Sequence, residues 1–241
     1  MPLSQPYEIP ALRDAIGPAI RPGGLELTER AIRFCGIAAG ERVLDVGCGT
    51  GATGAFLQGH FGIAAVGIDL SAMLLAEGRQ ARAALPLVRG DGVRLPFAPE
   101  TFAALFCECV LSLLENHQAA LTEFHRVLSP GGHLVIADLY RRSNGLENPA
   151  PLSTARGCLK GAVQRDLLEE RVQSAGFAIR LWEDHSHHLK ILAARLVWEC
   201  GGSSEILTTP WHCRGTGRGR PGYCLVIATR DAPGTDGRGN H

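Results

Sequence analysis

The stretch VLDVGCGTGATG, Val43 to Gly54, carries two glycine patterns that overlap in one loop. Gly49-Thr50-Gly51-Ala52-Thr53-Gly54 fits G-x-G-x-x-G, the spacing that seats a dinucleotide pyrophosphate on a helix N-terminus. Asp45-Val46-Gly47-Cys48-Gly49-Thr50-Gly51 fits D-x-G-x-G-x-G, a loop that receives an adenosine ligand carrying no phosphate. Under either pattern RVLDVG (42–47) is a buried strand ending in glycines, and ATGAFLQGHFG (52–62) begins as a helix and closes at a glycine.

Charge separates the two patterns. A pyrophosphate brings two negative charges to the helix N-terminus, and Asp45 in the loop would oppose them. S-adenosylmethionine (SAM) carries an ammonium and a sulfonium instead, and a carboxylate at the end of the first strand offsets that positive charge directly or through water. Asp69 follows Asp45 at the end of the second strand and is placed to accept both ribose hydroxyls, a role that serves NAD and SAM equally. Asp91-Gly92, after the third strand, does discriminate. A carboxylate there accepts from the adenine amino group, and the dinucleotide fingerprint has no such acid.

Outward from the loop, short apolar runs alternate with helical spacing. AAVGID (64–69) reads as a second strand, SAMLLAEGRQARA as a helix with Ser71 as N-cap, and LPLVRGD (85–91) as a third strand. TFAALFCECV (101–110) reads as a fourth strand, HQAALTEFHRVLS as an amphipathic helix, and HLVIAD (133–138) as a fifth strand after the Pro130-Gly131-Gly132 turn. Such alternation predicts an α/β fold with a parallel sheet, right-handed crossovers, helices on both faces, and a ligand crevice beyond the strands' carboxyl ends. Past residue 140 follow a polar loop, a helix over 162–176 closed by Gly176, the strand FAIRLWED, an amphipathic helix over 186–200, a long glycine- and arginine-rich connection and the strand YCLVIATR (223–230). One domain is expected over 1–230: a helical lead-in (1–40), a cofactor core (41–138) and an acceptor side with closing strands (139–230). Residues 231–241 read as a disordered tail.

Five segments in order, VLDVGCGTG, VGIDLSAML, GDGVRLPF, TFAALFCECVLSLL and FHRVLSPGGHLVIAD, make the chain from Val43 to Asp138 resemble the class I SAM-dependent methyltransferases, in the broad group that includes the quinone-biosynthesis enzymes. The resemblance implies a Rossmann-like, mostly parallel seven-stranded sheet whose last strand, YCLVIATR, is antiparallel. It implies SAM as cofactor, S-adenosylhomocysteine as product, and no metal. Asp45, Gly47, Cys48 and Gly49 would line the methionine part, Asp69 and Leu70 the ribose, and Asp91 with Gly92 the adenine; Met73 and Leu74 would pack on the adenosine, and Cys107 would close the set.

Two departures bear on mechanism. Where this group often has Phe-Asp at the start of the fourth strand the chain has Phe102-Ala103, and where many members have a His pair after it the chain has Ser112-Leu113. No ready-made general base is visible, which weakens an O-methylation reading; a base is needed only for a poorly acidic hydroxyl or a charged amine. In FCECV the strand period sets Cys107 and Cys109 on one face and Glu108 on the other, where the sheet opens towards the methyl group. Glu108, Cys107 and Cys109 are thus the catalytic candidates, against the plainer reading that both thiols are buried spacers. Cys107 or Cys109 with Cys158 is a third option, a site for a thiophilic metalloid.

The eight cysteines show no C-x-x-C pair and no zinc spacing. EDHSHHLK (183–190) is read as helix-start polarity, with His188 facing the crevice and the other histidines at a solvated end. CRGTGRGRPG, with Arg214, Arg218 and Arg220, lacks the aromatics of a nucleic-acid surface and reads as a surface loop. Lys plus Arg and Asp plus Glu both number 24, so no strong field recruits nucleic acid or an anionic membrane. Early prolines and an acidic residue argue against a signal peptide, and no apolar run reaches membrane-spanning length, so the expected compartment is the cytoplasm. A small-molecule methyl acceptor is the expected partner; a protein or RNA acceptor and a SAM-binding module without turnover are the alternatives. The apolar stripe Leu189, Leu192, Ala193, Leu196 and Val197 is read as covering the acceptor, under a lid that includes 203–221.

Overall fold

The computed structural model describes residues 17, 19, 21–142, 161–199 and 221–231, with residues 196, 197 and 199 described by backbone alone. Seven strands run in chain order: β1 (Arg42–Val46), β2 (Ala64–Asp69), β3 (Leu87–Arg89), β4 (Phe102–Glu108), β5 (Leu128–Arg141), β6 (Phe177–Asp184) and β7 (Pro221–Arg230). They form one sheet in the order β3-β2-β1-β4-β5-β7-β6. Neighbours from β3 to β5 pair in parallel, and β7 pairs antiparallel with both β5 and β6, so β7 alone is reversed. The order reverses between β1 and β2 on one side and β4 on the other, which opens a crevice at their carboxyl ends.

The central strands read as near-continuous apolar runs because helices cover both faces. On one face α1 (Gly24–Cys35) and α2 (Ala52–Phe61) bring Leu27, Ala31, Ile32 and Leu57 onto Val43, Phe106 and Tyr223. On the other, α4 (His117–Val127) and α5 (Arg165–Ser174) bring Leu121, Phe124, Leu168 and Val172 onto Leu44, Leu105 and Ile136. The helix α3 (Ala72–Ala81) starts where Ser71 Oγ accepts the Leu74 N–H at 3.2 Å, as its N-cap reading predicts. The last helix, α6 (His187–Glu199), follows β6.

Three boundaries differ from the sequence reading. β3 keeps only three of seven expected residues, because Asp91 turns away to form an isolated bridge with Arg94. β5 takes in the Pro-Gly-Gly segment, through a register shift opposite Phe102 and Ala104, and runs on to Arg141 because β7 pairs with it that far. The stripe on α6 divides: Leu189 and Leu192 pack on the core, while the neighbouring Ile191 and Trp198 are 59% and 86% exposed. Leu196 and Val197 have no described side chains. No helix among the described residues is long and apolar enough to cross a membrane.

Candidate functional site

The crevice is built from the ends of β1, β2 and β4. Gly47 and Cys48 both donate their backbone N–H to the Ile68 carbonyl, at 2.8 and 3.1 Å, which folds the loop back over β2. Gly47 sits at φ +71°, and a Cβ there would come within 2.1 Å of Val110 Cγ2. Both the backbone sign and the space require glycine. Val110 reaches that position because Cys109 adopts a left-handed φ of +58° and donates its N–H to the Ala137 carbonyl at 2.7 Å.

Asp45, on β1, is buried. Its Oδ2 has no hydrogen-bond partner. Burial pushes its carboxyl well above the usual range, and the Glu108 carboxylate adds to this against the opposing pull of Arg21. A buried carboxylate oxygen left without a donor is costly unless a cation or donor arrives. The residues fit SAM on this ground: its ammonium supplies the missing charge and hydrogens.

Asp69 is already oriented, accepting the Gly49 N–H on Oδ2 at 2.7 Å and the Ser71 N–H on Oδ1 at 2.8 Å. An ionised carboxylate has about four acceptor positions, so two such bonds leave capacity for ribose hydroxyls. Asp91 Oδ1 accepts the Val93 N–H at 3.1 Å, and Gly92 packs within reach of Val46 and Leu114, so that acid stands at the same end of the sheet. Leu70 and Met73 are 60% and 42% exposed, apolar side chains that an adenosine would cover. Leu74 is buried and lies behind Gly49, supporting the loop from within. Cys48 is buried too; its sulfur lies 2.7 Å from where a Gly67 Cβ would stand, so the thiol packs back on β2.

Glu108 ends β4 in a closed network. Arg21 Nη2 lies 2.8 Å from Glu108 Oε2, Thr28 Oγ1 donates to Oε1 at 2.8 Å, and Thr53 Oγ1 donates to Oε2 at 3.1 Å. Arg21 Nη2 also donates to Thr28 Oγ1 at 2.6 Å. This carboxylate therefore fastens the lead-in and both α1 and α2 to the end of β4. Sequence reasoning named Glu108 and missed its three partners, which lie far away in the chain and carry no local motif.

The two thiols do not share a face, contrary to what the strand period predicts. Cys107 belongs to the cluster under α4 and α5, and Cys109 to the cluster under α1. The left-handed turn at Cys109 breaks the alternation and brings it to the side of Glu108. Its sulfur lies 3.2 Å from the Tyr223 hydroxyl, which donates to the Ala137 carbonyl at 3.1 Å. Burial raises the Cys107 thiol well above its ordinary value, which keeps it un-ionised. Cys158, Arg214, Arg218, Arg220 and all of the segment 203–221 except Pro221 lie outside the described residues. Ser112, at the place of the missing His pair, donates from Oγ and N to Asp138 at 2.6 and 2.9 Å.

Residues 44–136 match the methyltransferase domain family. The demethylmenaquinone methyltransferase of Beutenbergia cavernae is 42% identical over 103 residues, 43% of this chain and 42% of its own length, so the match spans less than half of that relative. Among solved structures, Haemonchus contortus phosphoethanolamine N-methyltransferase 2 in complex with SAM superposes with a TM-score of 0.74 at 19% identity, over 92% of this chain and 56% of its own. The [4+2]-cyclase SpnF superposes with a TM-score of 0.67 at 24% identity, over 86% and 81%. These two likenesses show the fold. The methyltransferase domain match over residues 44–136, set within this shared fold, makes the chain similar to the class I SAM-dependent methyltransferases.

Proposed function

We propose that this protein transfers the methyl group of SAM to a small, partly apolar acceptor. The observation that carries the reading is Asp45 Oδ2, buried and without a partner at the turn where the ligand's ammonium would lie. The relatives, named as methyltransferases of demethylmenaquinone, support a small-molecule acceptor. Equal numbers of acidic and basic residues support an acceptor other than nucleic acid, and, with no spanning helix among the described residues, a cytoplasmic site of action.

SAM, when bound, supplies a methyl group on a sulfonium whose charge disappears on transfer. The chain's part is to hold and orient. Asp45 meets the ammonium, Asp69 takes the ribose hydroxyls from a carboxylate pre-set by Gly49 and Ser71, Asp91 with Gly92 receives the adenine edge, and Leu70 and Met73 cover the adenosine. Glu108, committed to Arg21, Thr28 and Thr53, is a positioning residue that fixes the lead-in beside the crevice. With that carboxylate engaged, alignment and exclusion of water do the work, which suits an acceptor that needs no strong base.

Thermal unfolding with SAM, S-adenosylhomocysteine and NADH tests the cofactor: the first two raise the melting temperature and NADH leaves it unchanged. Stabilisation by NADH alone overturns the assignment. Labelled methyl transfer to quinols and phenols against protein and RNA tests the acceptor, and label confined to macromolecules overturns the small-molecule reading.

A further inference from the structure

The corner between β6 and α6 gathers three imidazoles that the crevice does not use. His185, His187 and His188 each offer a ring nitrogen within 4.8 Å of the others. The rings of His187 and His188 are 4.0 Å apart, and His185 stacks on His188 at 5.7 Å. Glu183 Oε2 lies 2.9 Å from His185 Nε2, and His185 Nδ1 is buried with no hydrogen-bond partner. A carboxylate on one ring nitrogen leaves the other, unprotonated, as a metal ligand and raises its basicity.

We propose that His185, His187 and His188 bind one divalent transition-metal ion of the zinc class, with Glu183 as the outer partner of His185. Three neutral imidazoles suit such an ion better than magnesium or calcium, which take oxygen ligands. Bonds of 2.0–2.1 Å at a tetrahedral centre need nitrogens roughly 3.3 Å apart. The present spacing thus requires modest closure, which the exposed His187 side chain can supply. The ion would clip this corner to α1, because Glu183 also receives Arg30 at 2.8 Å and the His188 ring lies beside Gly23.

The test uses the full chain stripped of metal with a chelator and titrated with zinc against a chromophoric competitor. One zinc per chain is expected, with a higher melting temperature and no response to magnesium. His187→Gln, at an exposed position, weakens binding by more than the roughly 10–100-fold that loss of an outer partner costs, and Glu183→Gln falls within that range. Cobalt(II) in the same site gives visible d–d bands without a thiolate charge-transfer band. The proposal is overturned by the absence of saturable binding, by a thiolate band, or by undiminished affinity in a His185→Gln/His187→Gln variant whose circular dichroism shows it folded.

Discussion

Two buried carboxylates stand on neighbouring strands at the mouth of the crevice, and they are treated in opposite ways. Glu108 of β4 has an arginine and two hydroxyls on its oxygens; Asp45 of β1 keeps one oxygen with no donor at all. The first arrangement is complete without a ligand and holds the fold together. The second is complete only when something positive arrives. Where a buried carboxylate oxygen is left without a donor beside a carboxylate that is fully engaged, the unsatisfied one is the candidate for a ligand contact.

The largest effect expected from breaking this contrast is at Glu108. Glu108→Ala strands the Arg21 guanidinium in the interior and should lower the unfolding free energy by about 3–5 kcal/mol, measured by urea denaturation. A stable variant that binds SAM normally and loses transfer would instead make Glu108 a catalytic group. Asp45→Asn should do the reverse. Stability without ligand stays level or rises, since a buried carboxyl whose ionisation burial already opposes is replaced by a neutral amide, while SAM affinity by calorimetry falls by about 1.5–3 kcal/mol, the worth of hydrogen bonds to a charged group. Unchanged affinity would separate Asp45 from the ligand.

The smallest effect extends the contrast to a cation. Burial, with Arg171 Nη1 2.7 Å from Nδ1, pushes the His117 imidazole down to about 4. Between about pH 6.5 and 4 the unfolded chain therefore binds more protons at this residue than the folded one, and stability is lost as the pH falls. Asp138 works against this, since burial lifts its carboxyl to about 6 and acidification through that range favours the folded state. His117→Gln should remove the first slope and leave the second. With solvent screening allowed for, the difference at pH 5 is about 1 kcal/mol, or 2–4 °C in melting temperature for a chain of this size. Identical pH profiles would place His117 in water.

The cofactor side was legible because its chemistry is local. The glycines, Asp45, Asp69 and Asp91 lie at or just past strand ends that apolar runs reveal. Glu108 was legible as a residue but not as a role: Thr53 is 55 residues away and Thr28 is 80, and nothing in RPGGLELTER announces a partner for a strand end. The alternation argument failed at Cys109 because a left-handed turn at a residue other than glycine leaves no mark in the sequence. The three histidines were visible as a cluster, yet their mutual distance depends on how β6 ends and α6 begins, which spacing alone does not fix.

The reversed strand also sets an order on synthesis. In a chain emerging from its N-terminus, β1 to β5 can pair as they appear, since each finds its neighbour already made. β6 cannot. Among the described residues its one partner in the sheet is β7, the last of the seven strands in the chain, which must slide between β5 and β6, pairing with each over most of its length. Until Pro221–Arg230 has left the ribosome, one edge of β5 and the whole of β6 stay open to other chains. A premature stop just before residue 221 would therefore unseat two strands while deleting one.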